Sequence, residues 1–178
     1  MLFISHRTAD KQFALNLLER ARQRGYEERQ LFLDSNPDAG IPAGSDWEQV
    51  IYEKLKQHRA LIVVYSSRWD EPESKWCFAE LVTAKTLGKL VFPVVIEECS
   101  INPIVGERQA VWPCREGDAA FDRLWKALEE SDLGPHDTRP WPPLDEHGKP
   151  TDPCPYPGLM PVGVVCIGPA VERSSSLD

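Results

Sequence analysis

Residues 60–65 of this chain read Ala-Leu-Ile-Val-Val-Tyr, an unbroken apolar run with no alternation. A strand with one face in water alternates apolar and polar residues, so a run like this belongs to a strand covered on both faces, the signature of a parallel sheet. Residues 90–96 form a second such run, and Leu2–Ser5 and Gln30–Leu33 are shorter ones. Between them lie helical patterns. Phe13, Ala14, Leu17, Leu18 and Ala21 recur at three- and four-residue steps up to Gly25; Trp47, Val50, Ile51 and Leu55 form a second stripe. A third helix is expected over Lys75–Leu87, closed by Gly88. Gln109–Trp112 reads as a weak strand, and Phe121, Leu124, Trp125 and Leu128 mark a last helix. Strands that alternate with helices imply right-handed crossovers and an α/β fold: a doubly wound, five-stranded parallel sheet of order 2-1-3-4-5 with helices on both faces.

Composition narrows the function classes. The 178 residues carry a formal net charge of −8, which disfavours binding nucleic acid through a bulk positive field. No apolar run approaches the roughly 20 residues that cross a bilayer, and no basic n-region precedes a long apolar segment, so neither a membrane partner nor a secretory leader is expected. The five cysteines, Cys77, Cys99, Cys114, Cys154 and Cys166, include no C-x-x-C pair and no histidine at zinc spacing. They read as reduced thiols of a cytoplasmic protein, with no metal site and no cofactor. Beyond about residue 130 the texture changes, because ten of the sixteen prolines fall there. Proline removes backbone donors and blocks helix, so 1–130 reads as one domain and 131–178 as a proline-rich, poorly ordered linker or tail.

In an open parallel sheet, ligands bind beyond the carboxyl ends of the strands where strand order reverses, here between the first and third strands. The segments reaching that crevice are Ser5-His6-Arg7, the turn-rich stretch Asp34–Gly44, and Ser66–Ser74 with the helix that follows. On that helix Trp76 and Glu80 stand four residues apart and share a face. A carboxylate beside an indole at such a rim suits a cationic, oxocarbenium-like transition state.

These residues carry a resemblance. Phe3-Ile-Ser-His6, Leu31-Phe-Leu-Asp34, Gly40-Ile-Pro-Ala-Gly44 followed by Trp47, and Ser74-Lys-Trp-Cys-Phe-Ala-Glu80 resemble, in order and spacing, the successive motifs of a bacterial TIR (Toll/interleukin-receptor type) domain over residues 1 to about 130. The resemblance implies the flavodoxin-like form of the fold above, cleavage of the nicotinamide–ribose bond of NAD+, and self-association through the 34–45 loop. It implies that Glu80 is the catalytic glutamate, that His6 and Arg7 lie near the pyrophosphate or nicotinamide, and that Asp34 and Trp47 flank the substrate. Trp76 either stacks on substrate or walls off water. The product is ADP-ribose or a cyclic form, and the setting is a bacterial antiphage effector that depletes NAD+.

Blander roles stand beside these. Trp47 and Trp76 also suit packing, Asp34 turn capping, and His6 and Arg7 ordinary loop positions. The tail segment Pro153–Pro161 resembles the opening of a STAND-type ATPase module, a possible regulatory partner, and also suits a plain linker. A non-enzymatic TIR module used for self-association or recruitment is the competing class. No G-x-G-x-x-G, P-loop or G-x-S-x-G pattern occurs, so dinucleotide-fold, P-loop and serine-hydrolase chemistries lack support.

Overall fold

Four strands and five helices carry out the expected alternation in the computed structural model, which describes residues 2–33, 47–69, 71, 74–106, 110–137 and 146–148. In chain order they are β1 (Leu2–Ser5), α1 (Lys11–Gln23), β2 (Leu31–Leu33), α2 (Trp47–Gln57), β3 (Ala60–Tyr65), α3 (Lys75–Thr86), β4 (Leu90–Val95), α4 (Pro113–Glu116) and α5 (Asp118–Glu130). All pairings are parallel and the sheet order is β2-β1-β3-β4. Leu2 stands opposite both Leu31 and Ala60, and Ala60 opposite Leu90. The order reverses between β1 and β3, as the doubly wound flavodoxin-like arrangement requires.

Strand side chains alternate between two faces, and the two cores follow that parity. Leu2, Ile4, Leu31, Leu33, Ile62, Val64 and Val94 pack against Leu17 and Leu18 of α1 and Phe121, Leu124, Trp125 and Leu128 of α5. Phe3, Phe32, Leu61, Val63, Tyr65 and Val95 pack on the other face against Ile51 and Leu55 of α2 and Cys77, Leu81 and Ala84 of α3. Each fully buried Leu, Ile or Val contributes about 1.5–3 kcal/mol. Burial on both faces is complete for β3. In β4 it holds only for the carboxyl half, since Leu90 is exposed and Val91 and Phe92 half-buried, so the expectation of a fully buried second run is corrected there.

The fifth strand contracts to a single bridge among the described residues: Val111 pairs in parallel with Val94, accepting from the Val95 amide at 2.9 Å and donating to the Pro93 carbonyl at 2.9 Å. Pro113 follows two residues later at the start of α4, lacks a donor and turns the chain into helix.

Three helices end alike. At α1 the Tyr26 amide bonds to Ala21 and that of Gly25 to Arg22; Lys89, Gly88, Ala84 and Lys85 repeat this at α3, and Leu133, Asp132, Leu128 and Glu129 at α5. This is the Schellman closure, which needs a left-handed residue after the cap and favours an apolar contact from the next one. Gly25 (φ 96°) and Gly88 (φ 66°) meet the first requirement, and Asp132 (φ 56°) meets it as one of the few tolerant side chains. Tyr26 and Leu133 meet the second and are buried; Lys89 occupies the equivalent place and is buried too.

Closure at α5 turns residues 131–137 back onto the domain. The Tyr26 hydroxyl donates to the Leu133 carbonyl, Gln30 Nε2 to the carbonyls of Pro135 and Asp137, and Arg59 Nη1 to the Asp132 carbonyl, while Arg59 also pairs with the Asp137 carboxylate. Gln30 and Arg59 immediately precede β2 and β3, so this strap lies along the edge where the strands begin.

Candidate functional site

Helix α3 faces two ways. Cys77, Leu81 and Ala84 point into the core under the sheet. Trp76, Ala79, Glu80 and Thr83 instead line a cleft of about 160 Å³ completed by Ile51, Tyr52 and Leu55 of α2. The structure therefore brings Glu80 and Trp76 together at the carboxyl end of the sheet. Glu80 is buried, with 6% of its surface exposed, whereas Trp76 is exposed and carries the Lys75 ammonium 5.4 Å above its ring.

Burial of a carboxylate is costly unless it is hydrogen-bonded. Ser5, the last residue of β1, donates from Oγ to Glu80 Oε2 at 2.5 Å, and both side chains are shielded from solvent. Parity explains the meeting. Ser5 shares its face of β1 with Phe3, the face covered by α2 and α3. Sequence reasoning missed Ser5 as a functional residue; the available signal was a hydroxyl closing an otherwise apolar, doubly covered strand.

His6 and Arg7 continue β1 over the same edge and are both buried, but neither lines the α2–α3 cleft. Arg7 turns toward Glu71, Nη2 to Oε2 at 2.9 Å, while its Nε and Nη1 are buried without a hydrogen-bond partner among the described residues. Such unmet donors cost about 1–3 kcal/mol each, more when charged. Around Arg7 stand further carboxylates held by hydroxyls. Ser66 Oγ donates to Asp10 at 2.9 Å, and Ser67 donates to Glu97 from Oγ at 2.5 Å and from its amide at 3.2 Å. Burial raises the Asp10 carboxyl above its ordinary pKa, against the Ser66 bond and the nearby Arg7 and His6 charges. The two Ser67 bonds lower that of Glu97, which is exposed. Glu71, Asp10 and Glu97 were not anticipated as part of this rim; Asp10 meets Arg7 locally, across one turn whose Asp10 amide donates to the Arg7 carbonyl at 2.9 Å, whereas Glu71 and Glu97 reach it only through tertiary folding.

Of the remaining expected site residues, Asp34 and the 34–45 loop lie outside the described residues, and Trp47 opens α2 with a side chain outside them. The tail beyond residue 148 lies outside them as well. Cys77, Cys99 and Cys114 are free thiols. No group of three or more potential ligands among the described residues could hold a metal, and no described helix is long and apolar enough to cross a membrane.

Comparison with curated proteins finds no match. Among solved structures, the TIR domains of "the activated Roq1 resistosome directly recognizing the pathogen effector XopQ" align with 73% of this chain and 73% of their own, at 20% sequence identity and a TM-score of 0.45. The TIR-domain family model matches residues 2–129, the whole α/β unit from β1 nearly to the end of α5. With that span matched, the chain belongs to the TIR domain family.

Proposed function

We propose that this TIR domain hydrolyses NAD+ to nicotinamide and ADP-ribose, or to a cyclised form, with Glu80 as the catalytic carboxylate. One observation carries the reading: a buried glutamate, oriented by a strand hydroxyl, lines a cleft beside an indole at the carboxyl end of a parallel sheet. In NAD+ the nicotinamide nitrogen is already cationic. Breaking its bond to the ribose sends the electron pair to that nitrogen, so the base leaves neutral and needs no proton. Ordinary glycosidases need an acid as well as a second carboxylate, and here one suffices. The Glu80 carboxylate stabilises positive charge growing at the anomeric carbon and holds ribose hydroxyls. Water then adds to that carbon and releases one proton, or an adenine nitrogen adds instead and closes a ring.

Trp76 supports the reading through its ring face, which already accommodates a cation, that of Lys75, and so suits a pyridinium. His6 and Arg7 are proposed to contact the dinucleotide where β1 ends. Asp34 and Trp47 are proposed to flank the substrate.

The cleft between α2 and α3, about 160 Å³, is smaller than the roughly 300–1,000 Å³ of a typical small-molecule site. A dinucleotide therefore needs further walls, and we assign them to the 34–45 loop and a neighbouring copy, so that assembly activates the enzyme. The proposed setting, from the sequence resemblance, is a cytoplasmic antiphage effector, with a STAND-type module as a possible regulator. The test is nicotinamide release from NAD+ by concentrated protein, compared with Glu80→Gln. The amide keeps size and loses charge, so a fall in kcat of about 100-fold or more is expected. Equal turnover by the two proteins refutes the role of Glu80, and no turnover by either leaves the domain as a non-enzymatic association module.

A further inference from the structure

We infer that Ser5 is a positioning residue for Glu80: its hydroxyl, fixed at the end of the central strand β1, clamps one carboxylate oxygen so that the glutamate presents a single orientation to the cleft. The inference rests on the hydrolase reading for its kinetic consequence, but not for its geometry.

Two observations support it. Ser5 is held by the sheet itself, with β1 flanked by β2 and β3 and the Ser5 Cα in register with Val63, so its short side chain is a rigid reference point. Glu80 has three side-chain torsions and projects from a different element, joined to β1 only through tertiary packing, 75 positions away. A 2.5 Å hydroxyl–carboxylate bond between buried partners removes most of that freedom and favours the ionised form. Ser5 is 1% exposed and stands behind Glu80, so it acts on a ligand through the carboxylate and not by touching it.

Ser5 Oγ is an uncharged donor to the Glu80 carboxylate. Among the described residues lining the cleft, the only titratable group besides Glu80 is the Tyr52 phenol of α2. On β1 the charged continuation is His6 and Arg7, and Arg7 bonds to Glu71. A hydroxyl orients the carboxylate without cancelling the negative charge that an oxocarbenium ion requires. An arginine or lysine in its place would neutralise it.

The experiment compares wild type with Ser5→Ala, Ser5→Cys and Ser5→Thr in two readouts: the pH profile of nicotinamide release, and a carbon-13 NMR titration of the Glu80 carboxyl, assigned by its loss in Glu80→Gln. With Ser5→Ala, kcat falls about 10- to 100-fold with KM within about twofold, and the acid limb moves up by about one pH unit or more. The Glu80 titration midpoint rises by the same amount. Threonine restores both readouts, and cysteine, a weaker donor of similar size, falls between. If Ser5→Ala fails to fold, the Ser5→Cys and Ser5→Thr pair carries the comparison. A Glu80 titration indifferent to residue 5 overturns the inference. Wild-type protein that releases no nicotinamide overturns the hydrolase reading alone, and the clamp is then judged by the titration.

Discussion

The Tyr26 hydroxyl donates a 2.9 Å hydrogen bond to the Leu133 carbonyl, 107 positions along the chain, and so ties the turn after α1 to the segment after α5. Leu133 is itself buried in the core between the sheet, α1 and α5. Residues 131–137 are therefore expected to contribute to stability although they lie past α5. Truncation after Glu130 removes one buried leucine and the partners of Tyr26, Gln30 and Arg59, at a cost of about 3–5 kcal/mol. Tyr26→Phe removes a single bond at about 1 kcal/mol. Urea unfolding followed by circular dichroism measures both.

Trp76 is more than one-third exposed, so its replacement should change binding more than folding. Trp76→Ala is expected to raise KM for NAD+ at least severalfold while unfolding stability changes by no more than about 1 kcal/mol, and Trp76→Phe should lie between. Steady-state kinetics alongside thermal melts separate the two effects.

His58 is buried against Phe3 and Phe32, with Nδ1 donating to the Lys54 carbonyl, and desolvation lowers its pKa to about 3. The folded state keeps the ring neutral where the unfolded chain takes up a proton below about pH 6.5. The unfolded state then binds more protons, so stability falls as pH drops from about 6.5 toward about 3. His58→Gln keeps a donor, abolishes the titration and should shift the acid-unfolding midpoint downward by half a pH unit or more.

Lys89 occupies a capping position where Tyr26 and Leu133 place apolar groups, and burial lowers its pKa to about 7 while Nζ donates to the Lys56 carbonyl at 3.1 Å. The folded pKa lies below the unfolded one, about 10.4, so the unfolded chain again binds the extra proton and stability rises with pH between the two values. Lys89→Met should flatten that rise and stabilise the protein at pH 7 by about 1 kcal/mol or more, the side-chain volume being nearly kept. Denaturant curves at pH 7, 8 and 9 provide the check.

Tyr52, Trp76 and Phe78 expose 39%, 37% and 43% of their surfaces on α2 and α3. If a neighbouring copy completes the cleft, nicotinamide release per mole should climb with protein concentration. Phe78→Ser should reduce that climb at least twofold, with sedimentation shifted toward the monomer.

Local periodicity made most of this architecture legible. The run at 60–65 identified a doubly covered strand, and the four-residue step from Trp76 to Glu80 placed both on one cleft because a helix fixes that relation by itself. Ser5 was visible as part of a segment reaching the crevice and of a motif, but with no role of its own. Its partner lies on another element, and only the packing of α3 over β1 reveals why a hydroxyl ends that strand. The same holds for Arg7 with Glu71 and for Arg59 with Asp137. Of the stretch expected as a fifth strand, the described residues show the parallel bridge at Val111, and Pro113, which lacks a donor, opens a helix two residues later. Lys89 escaped notice because a lysine after a helix-ending glycine usually faces water.

The strap of 131–137 is anchored at one end of the sheet. Its anchors precede β2 and β3, while Glu80 and Trp76 stand past the opposite ends of the strands. With β3 six residues long, that separates strap and cleft by roughly 20 Å. Strap and cleft thus occupy opposite ends of the sheet, so a perturbation of one is separated from the other by the full length of the strands.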